Sequence, residues 1–102
     1  MPEIYIKIHD AYRRIVAVCD SELIGKKVEE GKLQLDVNEK FYKGDLFDDE
    51  EQIIELLKEE QSEDSCFNFV GEDSCRLAVE AGLIEEKDIV KIQGIKHALF
   101  LF

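Results

Sequence analysis

Cys19, Asp20 and His97 are the residues of this sequence whose types are best suited to catalysis. A thiol at the end of a strand, next to a helix N-terminus, can be stabilised as a thiolate nucleophile. A histidine that follows a glycine turn can act as a general base or as a metal ligand. One hypothesis is therefore a small enzyme or metal-binding protein that uses these three residues.

The surrounding sequence favours a structural role for each of them. The acidic side chains of Asp20 and Glu22 would raise the pKa of the Cys19 thiol, which disfavours the thiolate. Cys19 also follows the alternation of the core-facing residues of its strand, where a free cysteine packs like a small apolar residue. His97 has no partner at a metal-ligand spacing, and a strand-end histidine with a hydrogen-bonded or solvated ring is the alternative. The sequence thus favours a protein without catalytic activity.

Metal and cofactor sites lack a supporting motif. A site that joins His9, His97, Cys19 and nearby carboxylates would need ligands that are far apart in the sequence. The six glycines form neither a dinucleotide-binding fingerprint nor a phosphate-binding loop. We predict no metal and no cofactor.

The first twenty residues predict a β-hairpin. Isoleucines at positions 4, 6 and 8 alternate with polar or aromatic residues, and a second β-rich run covers 12–19. With a loop at Asp10-Ala11, the numbers of cross-strand partners add to 21. The isoleucines then face Ala17, Ile15 and Arg13 on the core side. The other side is predicted to carry Tyr5, Lys7, His9, Tyr12 and Arg14.

This second side has the chemistry of a surface that binds single-stranded RNA. Aromatic rings stack on bases while cations hold phosphates. The alternative is a solvated sheet face built from β-forming residues that happen to be charged. Acidic helix faces offer a different partner, a basic protein, or are themselves only solvated. They are formed by Glu51, Glu55, Glu59 and Glu60.

Charge and composition narrow the classes of protein. The 102 residues carry a net charge of −11, and residues 45–102 hold 16 acidic against 5 basic side chains. Such a surface repels phosphate backbones, so a broad duplex-binding surface is excluded there. No apolar run approaches the length of a membrane span, and the first residues lack the features of a secretory signal. Three cysteines without a Cys-x-x-Cys pair indicate reduced thiols. We expect a cytoplasmic protein without a membrane partner.

The pattern of elements predicts one compact α+β domain over residues 1–102. Its mixed sheet is built from hairpins, and two helices over 48–60 and 73–81 pack on it. Asp48 and Glu51 fit a capping box for the first helix, and Gly82 ends the second. The last five residues, 98–102, are apolar and alternate in size. They either form a strand of the domain's own sheet or pair with a second copy, so we expect a monomer or a homodimer through this strand.

Several segments of the chain resemble one family of small archaeal proteins, grouped as domain of unknown function 424. They are VAVCD at 16–20, EEGKLQLDV at 29–37, FYKG at 41–44, VG at 70–71 and the stretch 94–98. Relatives typically have Gly-x-Pro-His-Ala in that last stretch, where this chain has Lys96 in place of proline. The resemblance implies an archaeal cytosolic protein, and the family brings no established activity, cofactor or catalytic residues. Our leading hypothesis is a non-catalytic binding module, associated with RNA, the translation machinery or a basic protein.

Overall fold

The computed structural model describes residues 2–102. Within them the strands are β1 (Ile4–Asp10), β2 (Arg14–Asp20), β3 (Lys27–Glu30), β4 (Leu33–Asp36), β5 (Asp45–Phe47), β6 (Cys66–Val70), β7 (Val90–Ile92) and β8 (Ile95–Phe100). The helices are α1 (Glu39–Tyr42), α2 (Glu50–Ser62) and α3 (Glu72–Glu80). Short 3₁₀ turns at Ser21–Leu23 and Glu86–Asp88 follow β2 and precede β7.

Six of the strands form one mixed sheet in the order β5-β1-β2-β6-β8-β7. β2 and β6 are parallel, and the other neighbouring pairs are antiparallel. β3 and β4 form a separate two-stranded hairpin. The predicted α+β class with a mixed sheet is confirmed.

Each face of the large sheet buries an apolar cluster. The helix-covered face packs against α2 and α3, and its strand residues include Ile4, Ile6, Val16, Val18, Phe67 and Phe69. The hairpin-covered face packs against the β3-β4 hairpin and α1, and its buried residues include Ala17, Cys19, Val70, Leu35, Val37 and Tyr42. Because both faces are buried, the middle of β2 is apolar at every position rather than at alternate ones.

The predicted register of the first hairpin is wrong. Partner numbers add to 24, so that Ile6 lies opposite Val18 and Ile8 opposite Val16. The loop has three residues, 11–13, and the register shift is odd, which turns each side chain of β2 to the face opposite the predicted one. This register buries the valines of β2 on the helix-covered face and leaves Arg13 in the loop.

The two long helices were predicted almost in place. α2 begins after Asp49, whose Oδ1 accepts hydrogen bonds from the main-chain N–H groups of Glu51 and Gln52 at 3.0 and 3.3 Å. The capping residue is thus the neighbour of the predicted Asp48. α3 follows Gly71, which has no side chain to cap it. Within residues 2–102, no helix has both the length and the apolar composition that crossing a membrane would require.

Candidate functional site

The structure separates the three residues of the enzyme hypothesis. Cys19 on β2 pairs with Val70 on β6, which in turn pairs with His97 on β8. Two strand spacings put the backbones of Cys19 and His97 about 10 Å apart, with Val70 between them. Asp20 points the other way, toward the first turn of α3. These positions do not form a nucleophile–base pair.

The environment of Cys19 also opposes a nucleophilic role. The residue is fully buried, and its Sγ donates a hydrogen bond to the Asp20 carbonyl at 3.3 Å. Burial raises the pKa of the Cys19 thiol to about 12, and the carboxylates of Asp20 and Glu22 add to the rise. At neutral pH the thiol is therefore protonated and packed as part of the core.

Asp20 caps a helix that is distant in the sequence. Its Oδ1 accepts from the N–H and the hydroxyl of Ser74 at 2.8 and 2.7 Å, and its Oδ2 accepts from the N–H of Asp73 at 3.1 Å. Burial raises the pKa of the Asp20 carboxyl, while these hydrogen bonds act in the opposite direction. The Asp20 side chain makes no capping bond to the 3₁₀ turn that directly follows it.

His97 is anchored to the neighbouring strand. Its Nδ1 lies 2.9 Å from the Phe69 carbonyl oxygen. Burial lowers the pKa of the His97 imidazole below 6.5, and the bond to Phe69 partly opposes this. Neutral His97 is therefore the form that the folded protein favours.

We expect the His97→Gln variant to reduce the loss of stability that accompanies acidification from pH 7.5 to pH 5.5. In the wild type, the unfolded chain binds a proton at His97 below about pH 6.5, whereas the folded chain resists it. Folding stability contributed by this residue is thus present above pH 6.5 and is lost as the pH falls. Urea unfolding at both pH values measures the difference. An equal loss in variant and wild type would contradict the assignment.

The five residues of the predicted binding side do not share a face. Lys7 lies opposite Ala17 on the hairpin-covered face, and its Nζ donates to the Lys40 carbonyl at 2.6 Å. His9 stacks on Phe41 with ring centroids 4.5 Å apart, and its Nε2 lies 2.8 Å from the Phe41 carbonyl oxygen. Both side chains are held against α1.

Arg14 and Tyr12 lie elsewhere. Arg14 is on the other side of the sheet from Lys7, and its guanidinium contacts both carboxylate oxygens of buried Glu60 at 2.9 and 3.2 Å. Ser65 donates a third bond to this carboxylate. Tyr12 is fully exposed in the loop between β1 and β2, and Tyr5 is partly buried opposite Cys19. A continuous surface of rings and cations is therefore absent from this ribbon.

The outer edge of β8 is only partly covered by its neighbouring strand. β7 pairs only with 95–97, so residues 98–102, here called the β8 edge, extend beyond it. The Gly71 N–H donates to the Lys96 carbonyl, so the even-numbered residues of β8 direct their main-chain groups toward β6. Leu99 must then direct its N–H and C=O outward. Its side chain is 49% exposed, and that of Leu101 is 73% exposed.

An apolar groove lies beside this edge on the hairpin-covered face, where neither the hairpin nor α1 covers the sheet. It consists of two adjoining concavities that share Leu99. One, of about 290 Å³, is lined by Arg13, Ile15, Phe41, Asn68, Leu99 and Leu101. The other, of about 410 Å³, has a more polar lining, formed by Leu33, Gln34, Asp88, Val90, Ile92, His97, Ala98 and Leu99. Sequence reasoning named the tail 98–102 but missed the groove, because its walls come from six separate elements.

One polar group has a fixed position inside the groove. Asn68 Oδ1 accepts a hydrogen bond from the hydroxyl of buried Tyr42 at 2.8 Å, which orients the Asn68 amide. A mostly apolar concavity with a few fixed polar groups is typical of binding sites. Within residues 2–102, no three His, Cys, Asp or Glu side chains come together as a metal-ion site.

Comparisons with known proteins find similarity to proteins of unknown function. The family model described as "Protein of unknown function (DUF424)" matches residues 9–101. The chain is similar to the crystal structure of an uncharacterized conserved protein from Methanopyrus kandleri, with a TM-score of 0.83 and 25% sequence identity. That alignment covers 97% of this chain and 92% of the other. No curated protein matches the sequence.

Proposed function

Because this chain belongs to the DUF424 family of proteins of unknown function, we propose a function from its surface: it is a non-catalytic module that binds an extended, apolar segment of a protein. The family match confirms the resemblance drawn from the sequence. The observation that carries the proposal is the β8 edge, where an exposed main-chain edge and an apolar groove adjoin. The bound segment would add to the sheet as a strand.

Strand addition uses the main chain for affinity and the alternate side chains for specificity. Leu99 supplies an outward N–H and C=O, and the groove beneath it receives every second side chain of the added strand. Natural proteins usually protect such edges with charged side chains or proline. Residues 98–102 contain neither.

The opposite edge of the sheet provides a contrast. β5 pairs with β1 only as far as Ile6, so the remainder of β1 is also an edge. That stretch carries Lys7 and Asp10, and Lys7 is bonded to α1. Charged side chains thus disfavour the addition of a strand at this edge, whereas residues 98–102 carry no charged side chain that would do so.

Charge favours a protein partner over a nucleic acid. Residues 45–102 hold most of the acidic side chains, so basic residues flanking the apolar segment would be attracted. The RNA hypothesis depended on Lys7 and Arg14 acting from one face, and it loses this support because they lie on opposite faces. We propose a cytoplasmic location, because a reducing compartment would keep the thiols of the three buried, free cysteines reduced.

Changing Leu99 to glutamate is expected to weaken binding of an apolar strand at least tenfold. The probe is a fluorescein-labelled peptide with the sequence of residues 97–102 flanked by two lysines at each end. A carboxylate at this position would be desolvated by the bound strand without a partner. Fluorescence anisotropy titration measures the dissociation constant.

Leu46→Glu is the matched control for this measurement. Leu46 is 51% exposed, close to the 49% of Leu99, but it lies on β5 at the far end of the sheet. We expect this control to bind the peptide as the wild type does. Failure of the wild type to bind the peptide at a protein concentration where it is monomeric, or equal weakening by both variants, would overturn the proposed function.

A further inference from the structure

We infer that the strand added at the β8 edge is the same segment of a second copy of this chain, antiparallel to the first, with the two-fold axis at Phe100. This inference rests on the proposed function and names the partner. Residues 98–100 are extended and all five residues of 98–102 are apolar, which is the kind of segment that the edge accepts. A two-fold contact of this kind uses one surface patch on both copies.

The length of β7 sets the register. β7 occupies the positions beside 95–97, so an incoming strand has access to β8 only from Ala98 onward. Leu99 and Leu101 are the outward-facing positions of this segment, and Phe100 lies between them. Antiparallel pairing about Phe100 places Leu99 of each copy opposite Leu101 of the other.

The main-chain directions agree with this register. Leu99 directs its N–H and C=O outward, and Leu101 does so if the strand continues in the same form. The carbonyl of Phe102 supports that continuation, because it accepts a hydrogen bond from Arg13 at 2.7 Å on the inner side of the strand. Each Leu99–Leu101 pair can then exchange two hydrogen bonds between the copies.

The side chains of the paired strands would cover exposed apolar surface on both faces. Leu99 and Leu101 of the two copies form a group of four leucines over the grooves. On the helix-covered face, Phe100 already packs edge-to-face on Phe67, with ring centroids 5.8 Å apart. Pairing brings the two Phe100 rings together beside this contact. Cross-strand aromatic and aliphatic pairs of this type stabilise antiparallel sheets.

The absence of charged side chains at the β8 edge makes self-association possible there. Each copy has a net charge of −11, so two copies repel each other over most orientations. Residues 98–102 carry no charged side chain. Asp88 lies beside Leu99 in one concavity, and Arg13 lies beside Leu101 in the other. The register brings Arg13 of each copy to the same end of the pairing as Asp88 of the other.

One cysteine introduced into each copy, in addition to the three buried native ones, tests this register directly. We expect an equimolar mixture of the Leu99→Cys and Leu101→Cys variants to form a disulfide-linked dimer under mild oxidation, while each variant alone does not. Only the mixture places a cysteine opposite a cysteine, at a distance that a disulfide can span. Both positions are exposed, so these variants retain the fold. Non-reducing gel electrophoresis measures the linked fraction, with Leu46→Cys as a control that remains unlinked in every mixture.

Light scattering after size exclusion separates the inference from the proposed function. The wild type is expected at twice the 11.8 kDa mass of one chain, and Leu99→Glu at the single mass. A wild type that is monomeric up to millimolar concentration, yet binds the lysine-flanked peptide, would overturn the inference and leave the proposed function standing. A monomer that binds no peptide would overturn both. A dimer that survives Leu99→Glu would place the contact elsewhere and overturn the inference.

Discussion

Replacing Gly71 with alanine is expected to lower the free energy of unfolding by about 4 kcal/mol, combining backbone strain with overpacking. Gly71 has φ 114° and ψ 163°, a conformation that residues with a side chain essentially never adopt. A methyl group at this position would lie 2.7 Å from the Asp20 Cβ and would strike its carboxylate. Urea unfolding followed by circular dichroism measures the loss.

Gly82→Ala is the control that separates the two contributions. Gly82 also has a positive φ, of 81°, but no atom lies within 4 Å of an added methyl group. This variant is expected to lose only about 1 kcal/mol, the cost of the left-handed conformation. Equal losses in the two variants would show that the contact between residue 71 and Asp20 does not matter.

The close approach of Gly71 to Asp20 illustrates what the sequence cannot reveal. Asp20 and Asp73 are 53 positions apart, and they meet only because β2 and β6 run parallel and end side by side. A local pattern would assign Asp20 to the helical turn that follows it, since capping residues normally lie next to the helix that they cap. Here the residue before α3 is Gly71, which has no side chain to cap the helix, and Asp20 on a distant strand supplies the cap.

The register of the first hairpin could not be predicted from the sequence for a different reason. Alternation fixes the orientation of a strand only when one face is buried and the other is wet. In β2 the residues 16–19 are all fully buried, because helices cover one face and the hairpin covers the other. The predicted register therefore depended on the assumed loop length of two residues. The actual loop has three residues, and this difference places Arg14 on the face opposite Lys7. The RNA hypothesis required both side chains on one face.

Elements with their own periodicity were predicted well. The apolar stripe of α2 includes Ile53 and Leu57, both fully buried, and the acidic residues before it contain the cap. By contrast α1 has only four residues, too few to show a helical period, and its Asn38 cap was not recognised. Phe41 on that helix forms a wall of the groove. The missing helix is one reason why the candidate site could not be seen in the sequence.

The β8 edge shows the same division between local pattern and tertiary context. The alternation of residues 98–102 predicted a strand, and the pairing of β8 with β6 confirms it as far as Phe100. Whether its outer edge is covered depends on the length of β7, which pairs with only three residues of β8. Exposure of an edge is a property of the neighbouring strand. A sequence pattern describes only the strand itself.

Asp20→Ala is expected to cost about 3 kcal/mol, because two buried donors and one half-buried donor at the start of α3 would lose their acceptor. The donors are the main-chain N–H groups of Asp73 and Ser74 and the Ser74 hydroxyl. Exposed Glu22, two residues along the chain, provides the control, and Glu22→Ala should change stability by less than about 0.5 kcal/mol. A loss below about 1 kcal/mol in Asp20→Ala would contradict the capping role.

Asp20→Asn and a double variant distinguish capping from packing. The asparagine oxygen can still accept both bonds from Ser74, but its amide would meet the N–H of Asp73, so this variant should lose less stability than Asp20→Ala. In the double variant, Asp20→Ala removes the carboxylate that an alanine at Gly71 would strike, but keeps the Cβ that would lie 2.7 Å away. Its total loss should therefore fall short of the sum of the single losses by at least about 1 kcal/mol. Strictly additive losses would mean that the Asp20 carboxylate is not what requires a glycine at position 71.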